Sequence, residues 1–110
     1  MEISTRRLEK TTIFDVSGDI DLANSPEFRK ALLHEVKDNH QAKVVMNLSK
    51  VKYIDSSGVA SLVEGLKASR DFGSRLILVG LSASAREVLQ LSRLLKIFEI
   101  CESEEQALAS

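Results

Sequence analysis

Residues 55–58, Asp-Ser-Ser-Gly, place a carboxylate and two hydroxyls directly ahead of Val59, Leu62, Val63 and Leu66, which recur at helical spacing. Asp and Ser are favoured helix N-caps and Gly58 permits close packing in a first turn, so capping alone could select this composition. A second chemistry is open to the same residues. A serine at a helix start lies where backbone N–H groups and the positive end of the helix dipole favour an anion, which suits it to carry phosphate. A phosphate adds roughly -1.5 to -2 charges beside Asp55 and, if the loop before Asn24 folds nearby, beside Asp19 and Asp21. That charge would act on a docked surface and leave the core alone. From the residues by themselves, both capping and switching stay open.

Other reactive side chains lack partners at useful spacing. His34 and His40 flank a helix end outside any His-Glu-x-x-His pattern and read as solvated helix residues. Asp19, Asp21 and Asn24 begin like a calcium loop, but such a loop needs glycine at its sixth position and glutamate at its twelfth, where this chain has Asn24 and Lys30. There is no Gly-x-Ser-x-Gly elbow, Walker loop or Gly-x-Gly-x-x-Gly turn. Cys101, the sole cysteine, reads as a small, partly buried strand residue. The expectation is a non-enzymatic chain with no catalytic residue, metal or cofactor.

The elements that must position the serine turn follow from hydrophobic periodicity. Met1 to Gly18 reads as a hairpin, with Ile3 and Thr5 alternating with polar residues and Ile13, Phe14 and Val16 following a Lys10-Thr11-Thr12 turn. Ser25 is a candidate cap with Pro26 at the first helical position, and Asn24 with Glu27 is a capping-box alternative. Phe28, Ala31, Leu32, Glu35 and Val36 then share a helical stripe, apolar except for Glu35, ending near Asp38 to His40. Lys43 to Leu48 has the continuous apolar character of a central strand covered on both faces. After the serine helix, Gly73 is placed as a stop and Leu76 to Val79 reads as a strand closed by Gly80. Ser84 with Glu87 reads as the cap of a third helix, Ile97 to Cys101 as a last strand, and Ser103 with Gln106 as the cap of a short terminal helix. The expected fold is α/β, one domain over residues 1–110, a mixed sheet of about five strands with about four helices.

The 110 residues are 44% hydrophobic and 28% charged, which suits one packed domain. Fifteen Lys and Arg against sixteen Asp and Glu leave no basic surplus for a nucleic-acid backbone. No stretch reaches the roughly 20 apolar residues of a membrane helix, and no signal-peptide core opens the chain. The expected setting is the cytoplasm, without nucleic-acid binding or membrane insertion.

Gly18-Asp19-Ile20-Asp21, the Val44–Leu48 strand, Tyr53-Ile54-Asp55-Ser56-Ser57-Gly58-Val59 and Leu94-Leu95-Lys96-Ile97-Phe98 together resemble the STAS domain, in its bacterial anti-sigma factor antagonist branch. The resemblance implies phosphorylation of Ser56, with Ser57 as the alternative. It implies a partner that is both serine kinase and anti-sigma factor, with an ATPase fold related to histidine kinases, and a serine phosphatase that reverses the mark. The unphosphorylated antagonist then binds the kinase and frees the sigma factor. Asp21 matches the family's acidic loop residue beside the serine. Asp19, Asp21, Asp55, Ser57, Gly58 and Val59 are the implied partner-binding positions, with Val59 either an exposed apolar contact or a core residue, and Asp19 and Asp21 either in the interface or solvating a turn. Ala60 departs from the glycine many antagonists carry. Related STAS proteins also suggest a regulator of biofilm or secretion, or a subunit of a lipid-transport ATPase complex.

Overall fold

A computed structural model describes all of Met1–Ser110. Strands β1 (Glu2–Leu8) and β2 (Thr11–Ser17) form an antiparallel hairpin. There follow helix α1 (Ser25–Leu33), β3 (Lys43–Lys50), α2 (Ser56–Asp71), β4 (Arg75–Val79), α3 (Ala83–Leu91), β5 (Glu99–Cys101) and α4 (Glu104–Ala109). The sheet order is β1-β2-β3-β4-β5, and every pair after the first is parallel. The expected α/β fold with a mixed five-stranded sheet and four helices is therefore observed.

Strand alternation sorts the sheet into two unequal faces. Phe14, Val16, Val44, Met46, Leu48, Leu76 and Leu78 face one side, where they pack with Phe28 and Leu32 of α1, Val59, Leu62 and Leu66 of α2, and Ala85 and Leu89 of α3. Right-handed crossovers between sequential parallel strands put all three helices on this side. The opposite face is thinner: Ile13, Val45, Ile77 and Val79 are covered by Ala107 of α4. Val44, Val45 and Met46 are all buried, as a strand covered on both faces requires. Gly65 lies against Leu32, and a Cβ there would overlap that side chain, so the glycine lets α1 and α2 approach closely.

Several boundaries fall elsewhere than expected. The hairpin turns at Glu9-Lys10, between paired Leu8 and Thr11, with Glu9 in a left-handed conformation (φ 51°). Helix α3 is capped by Ser82, whose Oγ accepts from Ala85 N at 3.0 Å, two residues before the expected Ser84. Strand β5 starts at Glu99, because Leu95–Ile97 form a tight helical turn ahead of it. Gly73 ends α2 as expected, with φ +70°. Ser103 Oγ caps α4 by accepting from Gln106 N, also as expected.

The polar interruption in the α1 stripe has a structural task. Beyond Leu33 the helix widens into a π-type turn, His34–Asp38, that carries Glu35 into the interior, 2% exposed. Its carboxylate accepts from Thr12 Oγ1 (2.8 Å) on β2, from Asn39 Nδ2 (3.1 Å) and from the Arg7 guanidinium on β1. Burial alone would push this carboxyl up, but the Arg7, Thr12 and Asn39 donors together hold it below its usual range. Glu35 thereby ties the hairpin to the end of α1.

Glu35→Gln is expected to destabilise the fold at neutral pH by about 1–3 kcal/mol, since it removes the charge that satisfies these donors. The unfolded carboxyl titrates near ~4.3, and the folded one lower, so the wild-type advantage is complete above about pH 5 and shrinks as pH falls through the folded value. Urea unfolding of both proteins across that range measures it; a stability gap that fails to narrow in acid contradicts the assignment.

Candidate functional site

The loop after β2 and the loop after β3 leave the sheet at the same end, because the two strands are parallel neighbours. They then pair with each other. Gly18 N donates to Lys50 O (3.2 Å), Ile20 N to Tyr53 O (3.1 Å) and Asp55 N to Ile20 O (3.1 Å), forming an isolated parallel bridge between Ile20 and Ile54. Both isoleucines are buried beneath Gly58. A Cβ on Gly58 would stand 2.6 Å from Ile54 Cγ2, 2.8 Å from Ile20 Cγ2 and 3.1 Å from the Ile20 carbonyl oxygen. Gly58 is thus required for the close approach of α2 to both loops.

Asp55 joins the parts. Its Oδ1 accepts from Ser57 N (2.9 Å) and Gly58 N (3.1 Å), capping α2, while its Oδ2 accepts from Leu22 N (3.0 Å) across the gap. Asp21 and Asn24 brace the other loop: Asp21 Oδ1 accepts from Ala23 N and Asn24 N, Asn24 Oδ1 accepts from Asp21 N, and Asn24 Nδ2 donates to Asp19 O. Asn24 therefore turns back into the loop and does not cap α1, and Ser25 lies buried inside the helix. Neither expected α1 cap forms.

These bonds refine the anion argument. The N–H groups of Ser57 and Gly58 are occupied by the Asp55 carboxylate, and that of Val59 donates to Asp55 O at 3.0 Å. A phosphate on Ser56 would meet a helix start already supplied with a negative cap. Such a phosphate would stay at the surface, with none of these three N–H groups free to draw it inward.

Ser56 opens α2, is exposed, and its hydroxyl makes no hydrogen bond within the chain. Ser57 is half-buried on the face shared with Ser61, whose Oγ donates to Ser57 O (3.1 Å). Asp19 is exposed and Asp21 half-buried, and no salt bridge engages Asp19, Asp21 or Asp55. Of the two readings of Val59, contact or core, the structure gives the core. Val59 is 6% exposed and packs in the main core, because its position on the helix points it at the sheet. Gly58 is likewise interior.

Two surface residues at this tip were not singled out from sequence. Leu22 is 75% exposed and Tyr53 48% exposed, and the Ile20–Ile54 bridge sets them on either side of the acidic loop. The available signal was that pairing: once Ile20 and Ile54 point inward together, strand alternation turns Tyr53 outward.

The STAS domain model matches residues 2–107. The anti-sigma-B factor antagonist of Listeria monocytogenes is 33% identical over 101 residues, covering 91% of this chain and 86% of the relative. This chain belongs to the STAS family, among the anti-sigma factor antagonists. A Thermotoga maritima structure assigned as an anti-sigma factor antagonist superposes with a TM-score of 0.90 at 23% identity, covering 97% of this chain and 92% of that one. The Bacillus antagonist SpoIIAA, solved in its phosphorylated form, superposes with a TM-score of 0.77 at 20% identity, covering 98% and 97%. Its unphosphorylated form gives the same TM-score at 16% identity, covering 98% and 94%. In this STAS fold no helix is long and apolar enough to cross a membrane.

Asp55→Ala should cost about 1–2 kcal/mol, the upper range for an N-cap, because it also releases Leu22 N. Chemical denaturation reads the loss. Hydrogen exchange should quicken at the Leu22, Ser57 and Gly58 amides while β3 and β4 stay protected; unchanged exchange at Leu22 would show that Asp55 does not hold that loop.

Proposed function

We propose that this antagonist works by phosphorylation-controlled partner switching, with Ser56 as the modified residue. The observation that carries the reading is the exposed, unbonded Ser56 hydroxyl on a braced acidic tip, beside a half-buried Ser57. A kinase needs a hydroxyl it can reach, and Ser56 offers one without local unfolding. In the unphosphorylated state the tip docks on a serine kinase that is also an anti-sigma factor, with an ATPase fold related to histidine kinases, and the sigma factor is freed. A serine phosphatase restores the docking form. The chain contributes a surface and no chemistry of its own, in the cytoplasm where the kinase meets ATP.

Docking draws on groups of two kinds. Leu22 and Tyr53 supply exposed apolar area, while Asp19 and Asp21 give orientation and charge. Asp55, Ser57, Gly58 and Val59 act beneath them, holding the tip in shape. Phosphate adds roughly -1.5 to -2 charges to a cluster of three carboxylates, so a partner matched to the unmodified tip meets bulk, repulsion and a desolvation cost. A coupling of about 3 kcal/mol would lower affinity roughly 150-fold.

Incubation with the cognate kinase and ATP should add the mass of one phosphate to wild type and to Ser57→Ala, and none to Ser56→Ala. The reverse pattern assigns the switch to Ser57. Ser56→Asp should weaken the kinase complex in a calorimetric titration, and equal binding by Ser56→Asp and by the phosphorylated protein to that of wild type would defeat the charge mechanism.

A further inference from the structure

The end of the molecule opposite Ser56 carries a second exposed apolar cluster. Helix α3 starts beside the serine tip, where Ser82 Oγ donates to Lys52 O (2.9 Å). It runs back along the sheet to Leu91, and the chain re-enters the sheet at the start of β5. Because β2 to β5 are parallel and point toward the serine tip, the segment from Leu91 to Ile97 lies at the far end. Leu91 is 77% exposed and Ile97 38%. A shallow pocket of about 360 Å³ is lined there by Gln90, Arg93, Leu95 and Lys96.

Within the segment from Leu91 to Ile97 the charge is positive and unpaired. Arg93 and Lys96 are the only charged residues between Glu87 and Glu99, and neither enters a salt bridge. Arg93 also occupies an unusual conformation. Leu94 N donates to Leu89 O (2.8 Å) and Arg93 N to Gln90 O (3.0 Å), the two bonds of a Schellman termination. That motif places a left-handed residue just past the helix, usually glycine, and here Arg93 stands in it with φ 60°. Arginine stands where glycine would fit with less strain, and its side chain is exposed at this surface.

The serine tip is the complement of this end. It presents Leu22 as an exposed knob beside the carboxylates of Asp19 and Asp21, with the cations Lys50, at the end of β3, and Lys52, on the neighbouring loop. We infer that the chain associates head to tail with a second copy of itself, Leu22 of one copy entering the Arg93–Lys96 pocket of the next. Both halves of the contact are on one molecule and the two surfaces differ, so the contact is heterologous and propagates beyond a dimer. Rim charges screened by water contribute little each, so the association is weak. It does not require that Ser56 be phosphorylated or that a kinase exist.

Sedimentation velocity on the full chain from micromolar to millimolar concentration tests it. The expected result is a sedimentation coefficient that rises with concentration in 20 mM salt, and a smaller rise in 0.5 M salt as the screening length shortens. Arg93→Gly combined with Lys96→Gln should abolish the rise while thermal stability holds or increases, because glycine relieves the left-handed position. Leu22→Ser should also abolish it. Mixing the Leu22→Ser protein with the Arg93→Gly, Lys96→Gln protein should restore dimers and nothing larger, since only one productive contact remains. A concentration-independent monomer in low salt overturns the inference, as does association that survives in the Arg93→Gly, Lys96→Gln variant. Failure here leaves the kinase titration of Ser56→Asp unaffected.

Discussion

The arrangement of the tip depends on one carboxylate. Asp55 uses one oxygen to start α2 and the other to hold Leu22 N, so a single side chain fixes the helix phase and the position of a loop more than thirty residues earlier in the chain. Fixing the backbone of one loop residue costs about 1–2 kcal/mol of entropy. That cost is met on folding, through Asp55, Asp21 and Asn24, and it need not be met again when a partner docks. Gly58 is the steric counterpart of this bond. Without a Cβ it lets α2 start directly above Ile20 and Ile54, which close the core beneath the tip.

The sheet topology explains why those loops meet. In a sheet whose parallel strands follow sequence order, each crossover leaves from the same end, so the segments after β2 and β3 emerge side by side. The same order puts α1, α2 and α3 on one face and leaves the other to the chain's last helix. Helix α4 has six residues and buries little apolar surface, so polar contacts hold it in place. Arg6 bonds to both Asp15 and Glu104, and Lys43 Nζ donates to the carbonyls of Ala107, Leu108 and Ser110. Bonds from Arg6 keep the Glu104 carboxyl below its usual range. One face of the domain is thus closed by packing and the other largely by charge, and the serine tip rises from the packed side through α2.

Features governed by local periodicity were legible in the residues. The hairpin, the α2 stop at Gly73 and the Ser103 cap rest on near neighbours in the chain, and β3 was marked by its continuous apolar run. Those that failed were decided by distant partners. Ser84 has the better capping-box pattern, but Ser82 is anchored by Lys52 O and starts the helix earlier. Asn24 and Ser25 have cap chemistry, yet the Asp19–Asp21 loop claims Asn24, and Ser25 is buried with its carbonyl facing Ser61. Glu35 looks like a break in an apolar stripe until Thr12 and Arg7, more than twenty residues away, provide its donors. Val59, following Gly58 at a helix start, read as either a surface contact or a core residue. The phase of α2 relative to the sheet decided for the core.

That phase also separates the two serines. An α-helix turns about 100° per residue, so adjacent hydroxyls face different surroundings. Ser57 shares its side with Ser61, which is buried against the Ser25 carbonyl, and movement outward would have to disturb the packing of α1 on α2. Ser56 shares its side with Ala60 and Glu64, both exposed. The methyl of Ala60 therefore adds surface beside Ser56 and does not crowd the core. A slip of the helix start by one residue would exchange the two serines, and the bonds from Ser57 N and Gly58 N to a single oxygen of Asp55 are what prevent it. Which hydroxyl faces solvent is thus set by the cap, so capping does not compete with the proposed switching role: it would give that role its geometry.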